Sequence, residues 1–215
     1  MSNRIIRNET PADYRAVEEL TREAFWNVYK EGADEHYYLT LLRKDPAFVP
    51  ELDLLLEENG VLIAHVAYTE STLTDEDGNA KTILSFGPLS VHPDYQRKGY
   101  GKQLLEASFE IAAEMGYEAV VIFGNPENYV PRGFLSSRKS RVHMPDGVYP
   151  TALLVKELKP GALSGKSWTY TENIKVHWEP EDVDGFDRTF PEKKKEWRPT
   201  QEMFYIYSHS QVVFD

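Results

Sequence analysis

Two glycines one residue apart, Gly99 and Gly101, stand among the cationic side chains Arg97, Lys98 and Lys102. Glycine lets a backbone come close to a ligand and take φ values other residues avoid. At the start of a helix several N–H groups have no intrahelical partner, and the positive end of the helix dipole faces the same way. An anion suits such a place, and a pyrophosphate is the natural guest. The same Gly-x-Gly also serves as a plain strand-to-helix turn. It is not the dinucleotide fingerprint, because Leu104 holds the third glycine position. Nor is it a Walker loop, because no Gly-Lys-Ser/Thr follows.

The loop needs elements to hold it. Ahead of it runs an apolar, β-prone stretch, Ile83 to Val91, then the turn His92-Pro93-Asp94-Tyr95. Behind it Leu104, Ser108, Ile111 and Met115 recur at helical spacing, with Leu105 and Ala112 beside them. That pattern predicts a helix over 99–115, closed by Gly116 at C′. Ala119 to Phe123 reads as a second buried strand. The order is strand, phosphate loop, helix, strand. Pro88 breaks the first strand's rule, since proline cannot donate to a ladder. The strand must bulge there or part from a neighbour.

Upstream, Asn3 to Arg7 reads as a strand. Thr10-Pro11-Ala12-Asp13 predicts a helix start with Thr10 as cap and Pro11 at N1. Val17, Leu20 and Ala24 form its apolar stripe. A second helix is expected from about Asp34 to Lys44, with Tyr38, Leu39 and Leu42 inward, stopped before Asp45-Pro46. Leu52, Leu54 and Leu56, then Asn59-Gly60, then Val61 to about Thr72 make a hairpin signal. Asp75 to Asn79 turns the chain into the next strand. EF-hand spacing fails in that turn, so it reads as solvated rather than calcium-binding. Val148 to Leu158 is a further strand pattern. Past Lys159-Pro160-Gly161 the texture changes: Trp168, Trp178 and Trp197 fall in the last stretch, with a charged run from Pro191 to Arg198. Trp168 to Tyr170 and Lys175 to Trp178 suit strands, and Gln201 to Tyr207 a short helix or strand. The expectation for this tail is packing on the domain, since exposed tryptophans cost solubility.

The chain has 215 residues and a formal charge of −11, from 24 basic and 35 acidic residues. That balance disfavours nucleic acid, whose binding rests on Lys and Arg contacts to phosphate. It leans towards a cationic substrate. There is no cysteine, which removes disulfides, thiolate metal sites and a cysteine nucleophile. The first residues lack the apolar stretch of a signal peptide, and no segment has the length of a membrane span. A cytoplasmic protein with no nucleic-acid or membrane partner is the expectation.

Gln96-x-x-Gly99-x-Gly101, after a strand and opening a helix, resembles the acetyl-coenzyme A signature of the GNAT superfamily of N-acetyltransferases. Tyr129-x-x-x-Gly133-Phe134 matches the superfamily's next motif, and the resemblance covers about residues 3 to 160. Gly124-Asn125-Pro126, Tyr129 and Gly133-Phe134 are similar to a branch of small bacterial predicted acetyltransferases. That branch usually has Tyr-Tyr-x-Arg-Phe-Gly-Phe where this chain has Asn128-Tyr129-Val130-Pro131-Arg132-Gly133-Phe134.

The resemblance implies an α/β (α+β) fold. Its mixed, mostly antiparallel twisted sheet is flanked by helices, with strands four and five parallel and splayed. It implies a domain over 1–160 and an extension over 161–215 packed on it. Acetyl-CoA would be the cosubstrate, without a metal. Leu89, Ser90, Val91, Gln96, Arg97, Lys98, Gly99, Tyr100, Gly101, Lys102 and Asn125 would hold it, and its pantetheine arm would pair with the backbone of Leu89 and Val91 in the splay. Tyr129 would protonate the leaving thiolate after direct attack by an amine, with no covalent enzyme intermediate. The acceptor would be a small-molecule or peptide amine. Tyr29, Glu31, His36 and Tyr37, on the opening helices, would border it. Glu70, His65 and Glu127 lie near enough in sequence order to be considered as the base, and none is assigned. A non-catalytic acetyl-CoA sensor and an interaction protein working through its tail are the rival readings. Monomer and homodimer both remain open.

Overall fold

The computed structural model describes residues 3–213. In chain order its elements are β1 (Arg4–Asn8), α1 (Tyr14–Phe25), α2 (Glu35–Leu42), β2 (Leu54–Glu58), β3 (Val61–Asp75), β4 (Ala80–Val91), α3 (Tyr100–Glu114), β5 (Ala119–Phe123), the one-turn α4 (Pro126–Tyr129), β6 (Leu135–Ser136), β7 (Val142–His143), β8 (Leu153–Glu157), β9 (Trp168–Glu172), α5 (Pro180–Asp187) and α6 (Pro199–Ser208).

Turn chemistry sets the early strands. Asn59 and Gly60 both have positive φ, 54° and 81°, as a two-residue type I′ hairpin requires. The sheet runs β1-β2-β3-β4-β5-β8-β6, and β9 pairs with the far half of β3 and with β7. Neighbours are antiparallel except β4 with β5 and β7 with β9. The sheet is therefore mixed and mostly antiparallel, with strands four and five parallel.

Pro88 does what its missing N–H demands. Gly87 and Pro88 together face Ala67 alone, because the β3–β4 register steps from Val66↔Leu89 to Tyr68↔Phe86. This is a bulge. On its other side β4 pairs with β5 at Leu84↔Val120, well before β4 ends at Val91. Beyond that point the two strands part.

α3 covers one face of the sheet, packing Leu104, Leu105, Phe109 and Ala112 against Leu54, Leu56, Val66, Tyr68 and Phe86. Ser108 in this apolar stripe is buried, and its Oγ lies 2.6 Å from the Tyr68 hydroxyl. A buried hydroxyl without such a partner costs about 1–3 kcal/mol, so the pair fixes α3 on β3. Gly116, at φ 93°, closes α3, and the Tyr117 N–H donates back to Ala112. Met115, expected in the stripe, falls at the C-cap and is 40% exposed. α1 and α2 cover the opposite face, where Val17, Leu39 and Leu42 meet Leu55 and Ala67.

Several boundaries differ from expectation. α1 starts at Tyr14, not Pro11, and Thr10 is not its cap. The Asp13 carboxylate accepts from the Thr10 N–H and hydroxyl and from Arg7, so residues 10–13 form a turn ahead of the helix. α2 stops at Leu42. The strand expected from Val148 begins only at Leu153, because the Thr151 N–H donates to the Ser210 carbonyl and the Tyr149 carbonyl accepts from Val212. Lys175 to Trp178 carries no strand. Gln201 to Tyr207 is helical, within α6.

The C-terminal stretch runs along the rest of the molecule. β9 enters the sheet beside β3. α5 docks on α1 and α2 through Arg22 and Asp187, at 2.6 Å, with Phe186 and Phe190 against His36. Trp178 lies against Tyr38, while Trp197 is 61% exposed. Among the described residues no helix is long and apolar enough to cross a membrane.

Candidate active site

The glycine loop opens α3 as the sequence requires. Gly99 is the N-cap in the left-handed region, φ 89°, and no side chain caps the helix. The N–H groups of Tyr100, Gly101 and Lys102 therefore have no partner within α3, since the first intrahelical bond runs from Gln103 to Gly99. Arg97 is also left-handed, φ 60°, and residues 96–99 are exposed. A Cβ on Gly101 would lie 3.2 Å from Val91 Cγ2, so the helix start sits hard against the end of β4. An uncapped N-terminus, exposed cations and a tight approach to a splayed strand fit the pyrophosphate of a coenzyme A thioester.

The remaining loop side chains are partly committed. Gln96 Nε2 donates to the Val91 carbonyl at 3.1 Å, and Lys98 Nζ to the Asp94 carbonyl at 2.7 Å. Lys102 lies 3.6 Å from Glu106, both well exposed. Two of the expected contacts are corrected: Tyr100 can offer only its backbone, and Ser90 faces away from the splay with both side chain and backbone. Tyr100 turns inward and donates its hydroxyl to Glu58 at 2.5 Å. Ser90 is buried and donates to Thr21 Oγ1 at 2.9 Å. Ser90 also pairs with His65 in β3, and the next N–H, of His92, donates to the Ile63 carbonyl. Antiparallel alternation then directs the backbone groups of Leu89 and Val91 away from β3, towards the splay.

Across the splay, Asn125 caps α4, its Oδ1 accepting from the Glu127 N–H at 2.9 Å. That leaves its amide nitrogen, not its oxygen, for a ligand. α4 ends in a 3₁₀ turn over Val130–Arg132, and Gly133 follows at φ 85°, which accommodates Pro131 and the displaced Arg132. Tyr129 packs on Phe86 and Phe134, with ring centroids at 5.6 and 5.7 Å. Its ring comes close to Gly124, where a Cβ would fall 2.5 Å from Tyr129 Cε2. Burial pushes the Tyr129 phenol well above its ordinary pKa, and the nearby Tyr29 and Tyr207 hydroxyls raise it further. The phenol keeps its proton at neutral pH and is a donor.

The opening helices divide. Tyr29 reaches the neighbourhood of Tyr129, and its ring packs at a tilt on Phe204 of α6, with centroids 4.6 Å apart. Glu31 is exposed. His36 and Tyr37 are covered by α5, at Phe190 and Phe186. Glu35 was not singled out by sequence, because an acid opening a helix is ordinary. It accepts from the Asp34 N–H at 3.1 Å. Burial raises its pKa to about 7, and its charge acts on Tyr29.

Two of the considered bases, Glu70 and His65, are committed to other partners. Glu70 accepts from the Tyr117 hydroxyl at 2.7 Å. Glu127 sits in the first turn of α4. His65 is fully buried on the α1–α2 side, 2.6 Å from Asp53, and burial lowers its pKa to about 4. Glu9, Asp53 and His65 bring ligand atoms within 4.8 Å of one another. Arg43 already donates twice to Glu9, at 2.9 and 2.6 Å, so a guanidinium holds the position a metal cation would take.

The acetyltransferase (GNAT) family model matches residues 14–135. An uncharacterized N-acetyltransferase, YhbS, of Escherichia coli K12 is 29% identical over 130 residues, 60% of this chain and 72% of that protein. The crystal structure of E. coli YhbS in complex with CoA superposes with a TM-score of 0.68 at 24% identity, over 80% of this chain and 91% of that one. A GNAT family acetyltransferase from Brucella melitensis in complex with acetyl-CoA gives 0.60 at 22% identity, over 81% and 96%.

Proposed function

The chain belongs to the acetyltransferase (GNAT) family, and from that premise we propose that it moves an acetyl group from acetyl-CoA to a primary amine by direct attack. The observation that carries the reading is the pairing of an uncapped α3 N-terminus with a proton-holding Tyr129 on the two sides of the β4–β5 splay.

Acetyl-CoA supplies the activated thioester. The N–H groups of Tyr100, Gly101 and Lys102 hold its pyrophosphate, with Arg97 and Lys98 adding charge at the exposed loop. The backbone of Leu89 and Val91 takes the extended arm as an added strand. An N–H at the splay stabilises the oxyanion. Tyr129 donates its proton to the departing sulfur. The raised pKa keeps the phenol protonated at neutral pH but makes it a weaker acid than the thiol. It therefore acts by hydrogen-bonding the sulfur as the C–S bond breaks, and the phenolate is reprotonated from the acceptor side. Glu35, near pH 7 in its affinity for protons, is the carboxylate we assign to receive the amine's proton. The tail from residue 161 onward completes the acceptor side through Phe204 and Tyr207.

The test is product identification. The protein is incubated with acetyl-CoA and a panel of primary amines, and products are read by mass spectrometry. An acetylated amine with equimolar CoA release is the expected result. Tight acetyl-CoA binding with no acetylated product would return the chain to the role of a cofactor sensor.

A further inference from the structure

The last helix crosses the acceptor side of the splay. Its upstream end is tied to the α1–α2 connection. Gln201 Nε2 donates to the Asn27 carbonyl at 3.2 Å, and Asn27 Oδ1 accepts from the Glu196 N–H at 3.2 Å. Trp26 Nε1 donates to the Lys194 carbonyl at 2.9 Å. Asn27 is buried and left-handed, φ 61°, so this anchor has a built geometry. The downstream end is tied to the chain leading into β8. Thr151 N–H donates to the Ser210 carbonyl and Val212 N–H to the Tyr149 carbonyl, both at 2.9 Å. α1 packs beside β4, and β8 pairs with β5 as far as Phe123. A helix fastened at those two places bridges the ends of the two strands that part.

α6 turns Phe204 and Tyr207 towards the site. Gln201, Phe204 and Tyr207 are half-buried, while Met203, Tyr205 and Ile206 are exposed. Phe204 meets Tyr29 at 4.6 Å and Tyr207 at 5.5 Å. A cavity of about 400 Å³ opens at the upstream anchor, among Trp26, Asn27, Pro93, Lys193 and Arg198.

We propose that α6 is a strap forming the acceptor-side wall, and that it restricts the acceptor to a small organic ammonium with an apolar body, excluding peptide chains and folded proteins. This rests on the transfer reading above. A helix is about 10 Å across with its side chains, so one held at both ends leaves gaps beside it and no open groove. Aromatic faces attract cations. Tyr29, Phe204 and Tyr207 offer such faces, Glu35 offers a carboxylate, and the net charge of −11 favours a cation's approach.

The test uses the full-length protein saturated with CoA, titrated calorimetrically with phenethylamine hydrochloride and, separately, with a lysine-containing hexapeptide. Wild type should bind phenethylamine and not the peptide. Phe204→Ala should weaken the amine roughly tenfold, the scale of a desolvated cation–π contact. Phe204→Leu, which keeps apolar volume and is safer for folding, should weaken it by several-fold as well. CoA affinity should stay within about twofold throughout. The proposal is overturned if wild type prefers the peptide or binds no phenethylamine, if neither variant alters amine binding, or if CoA affinity falls in step. Wild-type protein that binds no CoA would instead remove the transfer reading on which the strap depends.

Discussion

Gly124→Ala adds one methyl group at the place where the structure has least room for it. The new Cβ would lie 2.5 Å from Tyr129 Cε2 and 2.7 Å from Cδ2. Carbon atoms need about 3.5–4.0 Å, so something must move by about 1 Å. The backbone at Gly124 is held by its N–H bond to the Ala152 carbonyl at 2.9 Å. Retreat of the ring is opposed by Phe86 and Phe134 on its sides. The ring must therefore swing, and its hydroxyl moves with it. A displacement of about 1 Å at a reacting group can cost roughly 10²-fold in rate, while overpacking costs about 1–3 kcal/mol of stability. The expected outcome is a folded protein with normal acetyl-CoA affinity and kcat lowered roughly 10- to 100-fold. The assay is CoA release with the best amine, in a double-mutant cycle with Tyr129→Phe. If Gly124 acts by positioning the phenol, Gly124→Ala should add little once the hydroxyl is gone. Wild-type kcat in Gly124→Ala, or an equal fall in the Tyr129→Phe background, would refute the reasoning.

Other outcomes follow from the same geometry. Gly101→Val would push its Cβ against Val91 and crowd the pyrophosphate, so acetyl-CoA affinity by calorimetry should fall roughly 100-fold, about 2.7 kcal/mol. With Glu35 as base, kcat/KM should rise with pH through about 7, and Glu35→Gln should abolish that rise. His36 and His65 have pKa values lowered to about 4 by burial, so the unfolded chain binds protons between about pH 6.5 and 4 that the folded chain does not. Their contribution, at most roughly 3 kcal/mol each, is complete above that window and is lost as pH falls through it. Glu9 and Glu35, both raised to about 7, work in the opposite sense, stabilising the fold less as pH rises from about 4.5 to 7. Relative to wild type, the denaturant midpoint of His36→Phe should therefore shift towards greater stability on going from pH 7 to pH 5.

The parts of the fold that were legible in the sequence are those decided locally. The Asn59-Gly60 turn, the α3 stripe with Gly116 behind it, and the bulge at Pro88 each follow from backbone chemistry within a few residues. So does the loop: Gly99 takes a left-handed conformation at the N-cap, which glycine adopts without steric cost. What escaped depends on partners distant in sequence. Trp168 to Tyr170 reads as a strand and lies in β9, but its place beside the far half of β3 is something no local pattern announces. Val148 to Thr151 looked like strand, but the tail takes its hydrogen bonds. Thr10-Pro11 looks like a helix start, but Asp13 is captured by Arg7 and Thr10 and holds those residues in a turn ahead of α1. In the site, alternation along a strand separates Leu89 and Val91 from Ser90, so a run of adjacent names could not all face one ligand. Tyr100 follows the same logic at a helix start, offering its N–H while its ring goes to Glu58. Glu35 and the α6 aromatics escaped because only the folded chain brings them towards Tyr29.

The central claim is that Tyr129 is the proton donor in an acetyl transfer at the β4–β5 splay. Tyr129→Phe keeps the ring on Gly124, Phe86 and Phe134 and removes only the proton. Acetyl-CoA affinity by calorimetry and kcat by CoA release, taken on the same preparation, test it most directly. The expected result is affinity within about twofold of wild type and kcat lower by roughly 10²-fold or more. A kcat within about threefold of wild type, well below the usual general-acid contribution, would contradict it and leave Tyr129 as a packing residue.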